Sequence, residues 1–194
     1  MTTLYLVRHG EYENPEYVFP TSTSGFPLSE NGRRQVMALI PYFTGKPIVS
    51  FYSSPVLRAR QTAEILANAL KLPVVHDDRL MEVKTTLEGV SMKLFDDTKG
   101  ELSYLPQYRA KGAESMQALS ERVWSALEDF RTRHEGKEVV VVSHGDPIRF
   151  SLMKYLGMPM DFTISRTIET PLAGGYRLVF GEGGKPAVYP IVAP

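Results

Sequence analysis

Apolar residues along this chain fall into two periodicities. "TLYLV" (3–7) and "VVVVS" (139–143) are nearly unbroken apolar runs rich in β-branched residues, the pattern of strands covered on both faces. "PIVSFYSS" (47–54) reads as a third buried strand. Between these runs, apolar positions recur at helical spacing. Val36, Leu39, Ile40 and Phe43 share one helix face, with Ser29 as the N-cap. Ala59, Ala63, Leu66 and Leu70 do the same after "SSP", where Ser54 is expected to cap and Pro55 to fill the first turn. Met116, Leu119, Val123, Leu127 and Phe130 form the longest stripe. Ile148, Leu152 and Leu156 follow "HGDP", with Asp146 expected as cap, Pro147 opening the helix and Gly157 ending it.

Strands alternating with crossover helices predict an α/β fold, a three-layer α/β/α sandwich with a mostly parallel central sheet. "GGYRLVF" and "AVYPIV" around the turn "GEGGK" predict an antiparallel hairpin that closes the sheet. Residues 84–113 are weakly periodic and broken by Gly89, Gly100, Pro106 and Gly112. They read as a partly helical excursion over the sheet edge. With no repeat and no low-complexity linker, the 194 residues are expected to form a single domain, 1–194.

Charge narrows the partners. Lys plus Arg (22) equals Asp plus Glu (22), so no net field draws the molecule to nucleic acid or membrane, and neither is expected as a partner. No run approaches the ~18 apolar residues of a bilayer span, and the N-terminus lacks the pattern of a secretory signal, so a cytoplasmic location is expected. The absence of cysteine removes disulfides, thiolate metal sites and cysteine nucleophiles.

In a doubly wound sheet, ligands bind beyond the carboxyl ends of the strands. Arg8-His9-Gly10 follows the first strand, "SSP" with Arg58 the second, and Ser143-His144-Gly145 follows "VVVV". Parallel strands would bring both histidines and both arginines to one edge. A metal site built from His9, His144 and Asp146 is one option, but two fixed cations beside a divalent ion oppose it. The chain has no GxSxG elbow and no GxxxxGK[ST] loop, and the Gly-Lys pairs of "TGKP" and "GGKP" read as turns. Two arginines and two histidines suit a tetrahedral oxyanion better, since guanidinium groups grip phosphate through paired, charge-assisted hydrogen bonds. A histidine among such cations stays neutral and keeps a ring nitrogen free to attack phosphorus.

These residues resemble the histidine phosphatase superfamily, the phosphoglycerate-mutase-like clan (branch 1). "LVRHGE" resembles its signature, "SSPVLRARQTAEILA" its second block, "DDRLME" the segment of its proton donor, and "VVVVSHG" the block of its second histidine. "GFPLSENGRRQ" and "GAESMQALSERV" resemble its linking segments, and the matches run in family order from about residue 4 to 150. The resemblance implies a phosphoglycerate-mutase-like fold, His9 as a transiently phosphorylated nucleophile, and Arg8, Arg58 and His144 as ligands of the phosphoryl oxygens. It makes Glu82 the proton donor to the leaving alcohol, ahead of the nearby Asp77, Asp78 and Glu88. No metal or other cofactor is implied. Asn14 stands five places after His9, where the family commonly has asparagine at six, and is a candidate substrate contact. So are Ser24 and Gly25, which match a Ser-Gly or Thr-Gly pair that contacts substrate in the mutases. His76 and His134 match no block.

The leading expectation is a metal-independent phosphatase of a small phosphorylated metabolite, of the histidine acid phosphatase type. A cofactor-dependent phosphoglycerate mutase is the alternative, opposed by a compact chain and a short variable segment. A non-catalytic binder of phosphorylated ligands is the alternative of another class, and a metal hydrolase comes last. A homodimer is left open.

Overall fold

The computed structural model describes residues 1–20, 25–98, 100–181 and 185–191. Strand β1 (Thr2–Arg8) lies inside a six-stranded sheet with β2 (Ile48–Ser53), β3 (Val74–His76), β4 (Glu138–Ser143), β5 (Gly175–Phe180) and β6 (Pro186–Ile191), in the order β3-β2-β4-β1-β5-β6. β1, β4, β2 and β3 pair in parallel, and β5 joins antiparallel between β1 and β6. The sheet is therefore mostly parallel, and β5–β6 is the expected hairpin; most of its connecting "GEGGK" lies outside the described residues.

The unbroken apolar runs are explained by two cores. Leu4 and Leu6 point with Val139 and Val141 into one core, shared with Leu119, Val123, Leu127 and Phe130 of α5 (Met116–Arg133) and Ile148 and Leu152 of α6 (Gly145–Leu156). Tyr5, Val7, Val140 and Val142 face the other, against Val36, Leu39 and Phe43 of α1 (Glu30–Phe43) and Ala59, Ala63 and Leu66 of α2 (Leu57–Leu70). Because side chains alternate along a strand, a strand between two helical layers must be apolar throughout. Burial of each such Val or Leu stabilises by roughly 1.5–3 kcal/mol, which fixes the strand ends from which the loops project.

Helix boundaries differ from expectation at two sites. Ser29 caps α1 as predicted, its Oγ accepting from the Gly32 N–H at 2.9 Å. α2, however, begins at Leu57 with Val56 as N-cap, so Ser54 and Pro55 precede the helix. The Ser54 Oγ accepts from the Val56 N–H at 3.3 Å, just ahead of the helix, and faces His144 Nε2 at 2.9 Å. In α6 the N-cap is His144, and Asp146 lies in the first turn. Its carboxylate cannot cap because Arg149 Nη1 and the Tyr104 hydroxyl both donate to it, each at 2.5 Å. Gly157 ends α6 in the left-handed conformation, as expected (φ 70°). β3 is unheralded: only three residues long, with Val75 exposed, it has no apolar run to reveal it.

The 84–113 excursion contains the short helices α3 (Met92–Asp97) and α4 (Pro106–Arg109). Another short helix, α7 (Phe162–Ser165), follows α6. Phe19, Leu87 and Leu102 bury one another with Met92, Phe95 and Leu105 in a small core separate from the two main ones. The Phe19 N–H donates to Val90 O at 2.7 Å and Val18 bridges Ser91. The segment after β1 and the excursion are thus joined as one cover.

Candidate active site

Register brings the two His-Gly turns together. Arg8 pairs with Ser143 at the ends of β1 and β4, so the next residue of each strand, His9 and His144, leaves the sheet alongside the other. Their rings meet edge to face with centroids 5.1 Å apart. The loop after β1 then passes tightly against α1. A Cβ on Gly32 would stand 1.9 Å from the Glu11 carbonyl oxygen, and one on Gly10 2.7 Å from the Gly32 carbonyl. Only glycine allows that approach. The Glu11 carboxylate accepts from the Ser29 hydroxyl and the Asn31 amide at 2.7 and 2.8 Å, so "LSENG" anchors the loop that carries His9.

Hydrogen bonds fix both imidazole tautomers. His9 is 2% exposed, and its Nδ1 lies 2.8 Å from the Gly10 carbonyl. A carbonyl only accepts, so Nδ1 holds the proton and Nε2 keeps its lone pair. Arg58 Nε donates to that lone pair at 3.1 Å. His144 is arranged the other way. Arg58 Nη2 lies 3.3 Å from its Nδ1, and its Nε2–H faces Ser54 Oγ at 2.9 Å. Burial, reinforced by the charges of Arg58 and Arg8, pushes both imidazoles well below the usual histidine range. Both are neutral near pH 7.

The cations are held without full partners. Arg58, in the first turn of α2, is 1% exposed, and Arg8 Nη1 donates to the Thr170 carbonyl at 2.6 Å. Arg58 Nη1 and Arg8 Nε are buried and meet no acceptor among the described residues. A buried guanidinium N–H without an acceptor is costly, and an anion between the two would satisfy both. The Tyr12 ring backs Arg58, 5.0 Å from its Cζ.

Glu82 completes the wall. It follows a 3-10 turn at Asp78–Leu80, and its Oε1 accepts from the Val83 N–H at 3.0 Å. Burial and the Asp146 carboxylate push its carboxyl up to about 7, against the opposing pull of Val83 N–H, Arg58 and Arg8. It therefore holds its proton to higher pH than an ordinary glutamate. The other carboxylates weighed for this place are elsewhere engaged or exposed: Asp77 pairs with Arg79 at 2.7 Å, and Glu88 is exposed. Arg122 of α5 clamps the backbone around Glu82. Its Nη1 donates to the carbonyls of Arg79 and Met81 at 2.9 and 3.0 Å, and Glu114 holds its Nε at 2.9 Å.

Arg8, His9, Arg58 and Glu82 line one pocket of about 310 Å³, with His144 beneath it in contact with His9 and Arg58. Asn14 is not brought there. Its amide spans a turn, donating to Val18 O at 2.9 Å and accepting from Val18 N at 3.1 Å. Gly25 has open space around its Cβ direction and is outside the pocket lining. Ser24 lies outside the described residues. Of the two unmatched histidines, His134 hydrogen-bonds the Tyr52 hydroxyl at 2.9 Å and His76 ends β3. Sequence reasoning missed Arg122, Tyr104, Arg149 and Thr62, whose Oγ1 accepts from the Gly10 N–H at 3.1 Å. Thr62 and Arg122 lie within the family-like segments "SSPVLRARQTAEILA" and "GAESMQALSERV", and Arg149 stands three residues after Asp146 on one helix face, whereas Tyr104 has no signal. Among the described residues, no three His, Asp or Glu side chains converge in a way that could hold a metal ion, and no helix is long and apolar enough to cross a membrane.

Paired neutral imidazoles, two under-satisfied guanidinium groups and a carboxyl that burial keeps protonated to higher pH thus gather at the ends of the parallel strands of a mixed α/β sheet. The family model of the histidine phosphatase superfamily (branch 1) matches residues 4–189, and the chain belongs to that superfamily. It is 32% identical to "Phosphoserine phosphatase 1" of Hydrogenobacter thermophilus over 82% of this chain and 79% of that protein. It is 34% identical to the "Probable phosphoglycerate mutase GpmB" of Escherichia coli strain K12 / DH10B over 82% of this chain and 77% of that one. Among solved structures, the phosphoserine phosphatase of Entamoeba histolytica in complex with 3-phosphoglyceric acid superposes with a TM-score of 0.81 at 27% identity, over 99% of this chain and 98% of that one.

Proposed function

We propose that the protein is a metal-independent phosphomonoesterase that hydrolyses a small phosphorylated metabolite through a phosphohistidine on His9. The observation that carries this reading is the His9 Nε2 lone pair beside two buried guanidinium N–H groups that meet no acceptor. A phosphoryl group entering there takes Arg58 and Arg8 as hydrogen-bond donors. Arg58 Nε passes from His9 to a phosphoryl oxygen, and the freed lone pair attacks phosphorus. The P–O bond to the leaving alcohol breaks while protonated Glu82 gives its proton to the departing oxygen. Glu82, now a carboxylate, takes a proton from water. The water oxygen attacks phosphorus, the P–N bond breaks, and phosphate leaves with His9 neutral again. His144 acts through Arg58, whose Nη2 it orients, and Arg122 holds the Glu82 backbone.

Turnover of p-nitrophenyl phosphate in excess chelator, with a phosphorylated His9 peptide recovered after alkaline quench, is the expected result. A metal requirement, or full activity in His9→Ala, would refute it. Likeness to a mutase favours a second reading, in which the phosphoryl group returns to a bound phosphoglycerate instead of water. Interconversion of 2- and 3-phosphoglycerate with 2,3-bisphosphoglycerate present, faster than phosphate release, would establish it.

A further inference from the structure

Beyond the phosphate clamp, the pocket has a marked chemical bias. Tyr12, Phe19, Val83, Met92 and Phe95 form its outer wall. Phe19 and Phe95 pack edge to face at 5.2 Å, and both belong to the small core of the cover. This wall is therefore held in place by its own packing and does not depend on a ligand to assemble. At about 310 Å³, the pocket stands at the small end of the range for small-molecule sites.

Charge in the pocket is already matched once phosphate is bound. The guanidinium groups are those of Arg8, Arg58 and Arg149. Arg149 is committed: its Nη1 donates to Asp146 at 2.5 Å, its Nε to Ile168 O at 3.3 Å and its Nη2 to Thr170 Oγ1 at 3.4 Å. The two charges of a phosphate dianion together with Asp146 equal those three cations, with Glu82 protonated for attack. A carboxylate on the leaving group would add a negative charge that no further cation among the described lining residues meets, against an apolar wall and beside Asp146. Arg166 lines an adjoining hollow that shares Phe95, Asp146 and Arg149 with this pocket, and is not among the residues lining the pocket itself.

We infer that the preferred substrate is a phosphomonoester with an uncharged leaving group that presents an apolar, preferably aromatic, face to Phe19, Met92 and Phe95. This rests on the phosphatase reading and adds the substrate class to it. Burying a ring against this wall is favourable, whereas desolvating an unpaired carboxylate there is costly.

The test is kcat/KM of the full chain, in chelator, for benzyl phosphate, glycerol 2-phosphate, phosphoserine and 3-phosphoglycerate. All four leave as alcohols, so differences report the pocket and not the ease of P–O cleavage. Benzyl phosphate is expected to exceed phosphoserine and 3-phosphoglycerate by at least ~10-fold, a margin typical of one well-matched pocket contact. Met92→Lys, which adds a cation to the wall, is expected to narrow that margin several-fold. Phosphoserine or 3-phosphoglycerate turned over as well as benzyl phosphate overturns the inference and leaves the phosphatase reading intact. An unchanged margin in Met92→Lys, with that variant folded by circular dichroism, also overturns it. No turnover of any ester and no phosphohistidine overturns both.

Discussion

Asp146→Asn isolates the electrostatics of the proton donor. Glu82 is pushed up to about 7 first by burial and second by Asp146, so removing that charge lowers it. A nearby unit charge shifts a carboxyl by roughly 1–3 pH units, about 2.7 kcal/mol at the middle of that range. Pairing with Arg149 and partial exposure of Asp146 (19%) reduce its reach, to about half that, or ~1.4 kcal/mol and one pH unit. Loss of the pair also bares the Arg149 charge, which acts in the same direction. Protonated Glu82 is required for attack and is lost as pH rises, so it sets the alkaline limb of kcat/KM. The acid limb belongs to His9 and lies well below the usual histidine value. The substitution therefore shifts the alkaline limb down by about one pH unit. At pH 8 the variant loses about tenfold against the parent, and the gap closes at acidic pH. Initial rates with benzyl phosphate between pH 5 and 9 measure this. A limb that stays put, or moves up, refutes the coupling of Asp146 to the proton donor.

Other predictions test other parts of the site. Arg58→Lys cannot serve His9, His144 and a phosphoryl oxygen together, and kcat/KM should fall by about 10²–10³ with the fold unchanged by circular dichroism. Arg122→Ala leaves Glu114 buried without its cation and unclamps the backbone at 79–82. It should cost about 2–4 kcal/mol in urea unfolding and also lower kcat, whereas a purely structural role would leave the pH profile of the surviving activity unchanged. Stability should itself depend on pH. His9 and His144 are depressed when folded, so the unfolded chain binds their two protons first as pH falls below about 6.5. Glu82, raised when folded, opposes this with one proton in the native state. The two histidines outweigh Glu82, so the net effect of these three groups is a fall in stability as pH drops below about 6.5. Glu82→Gln should steepen it in denaturant titrations.

Much of the architecture was legible because it is written in continuous or periodic apolar runs. "TLYLV" and "VVVVS" are sandwiched strands, and the stripe from Met116 to Phe130 is buried as one face of α5. The convergence of His9, Arg58 and His144 followed from one assumption, parallel strands, which the register of β1, β4 and β2 bears out. What escaped notice rests on long-range geometry. Arg122, although inside the family-like segment "GAESMQALSERV", reaches carbonyls about forty residues away in sequence, and Tyr104 meets Asp146 across forty-two, so local spacing reveals neither contact. Capping was misread at Ser54 and Asp146 for a related reason: tertiary partners claimed side chains whose local preference was to close a helix. The Asn14 expectation rested on family spacing alone, and its amide is spent within its own turn.

The hydrogen bond from Arg58 to His9 Nε2 has a consequence for chemical selectivity. A neutral, buried imidazole is otherwise open to any electrophile small enough to enter, from acyl donors to alkylating agents. Here its lone pair is occupied until some other acceptor claims the guanidinium. An oxyanion brings charged acceptors on the same atom that is to be attacked, and an alkyl halide brings none. The resting protein thus discriminates among electrophiles before any leaving group is recognised, and tetrahedral oxyanions are the reagents that unmask it.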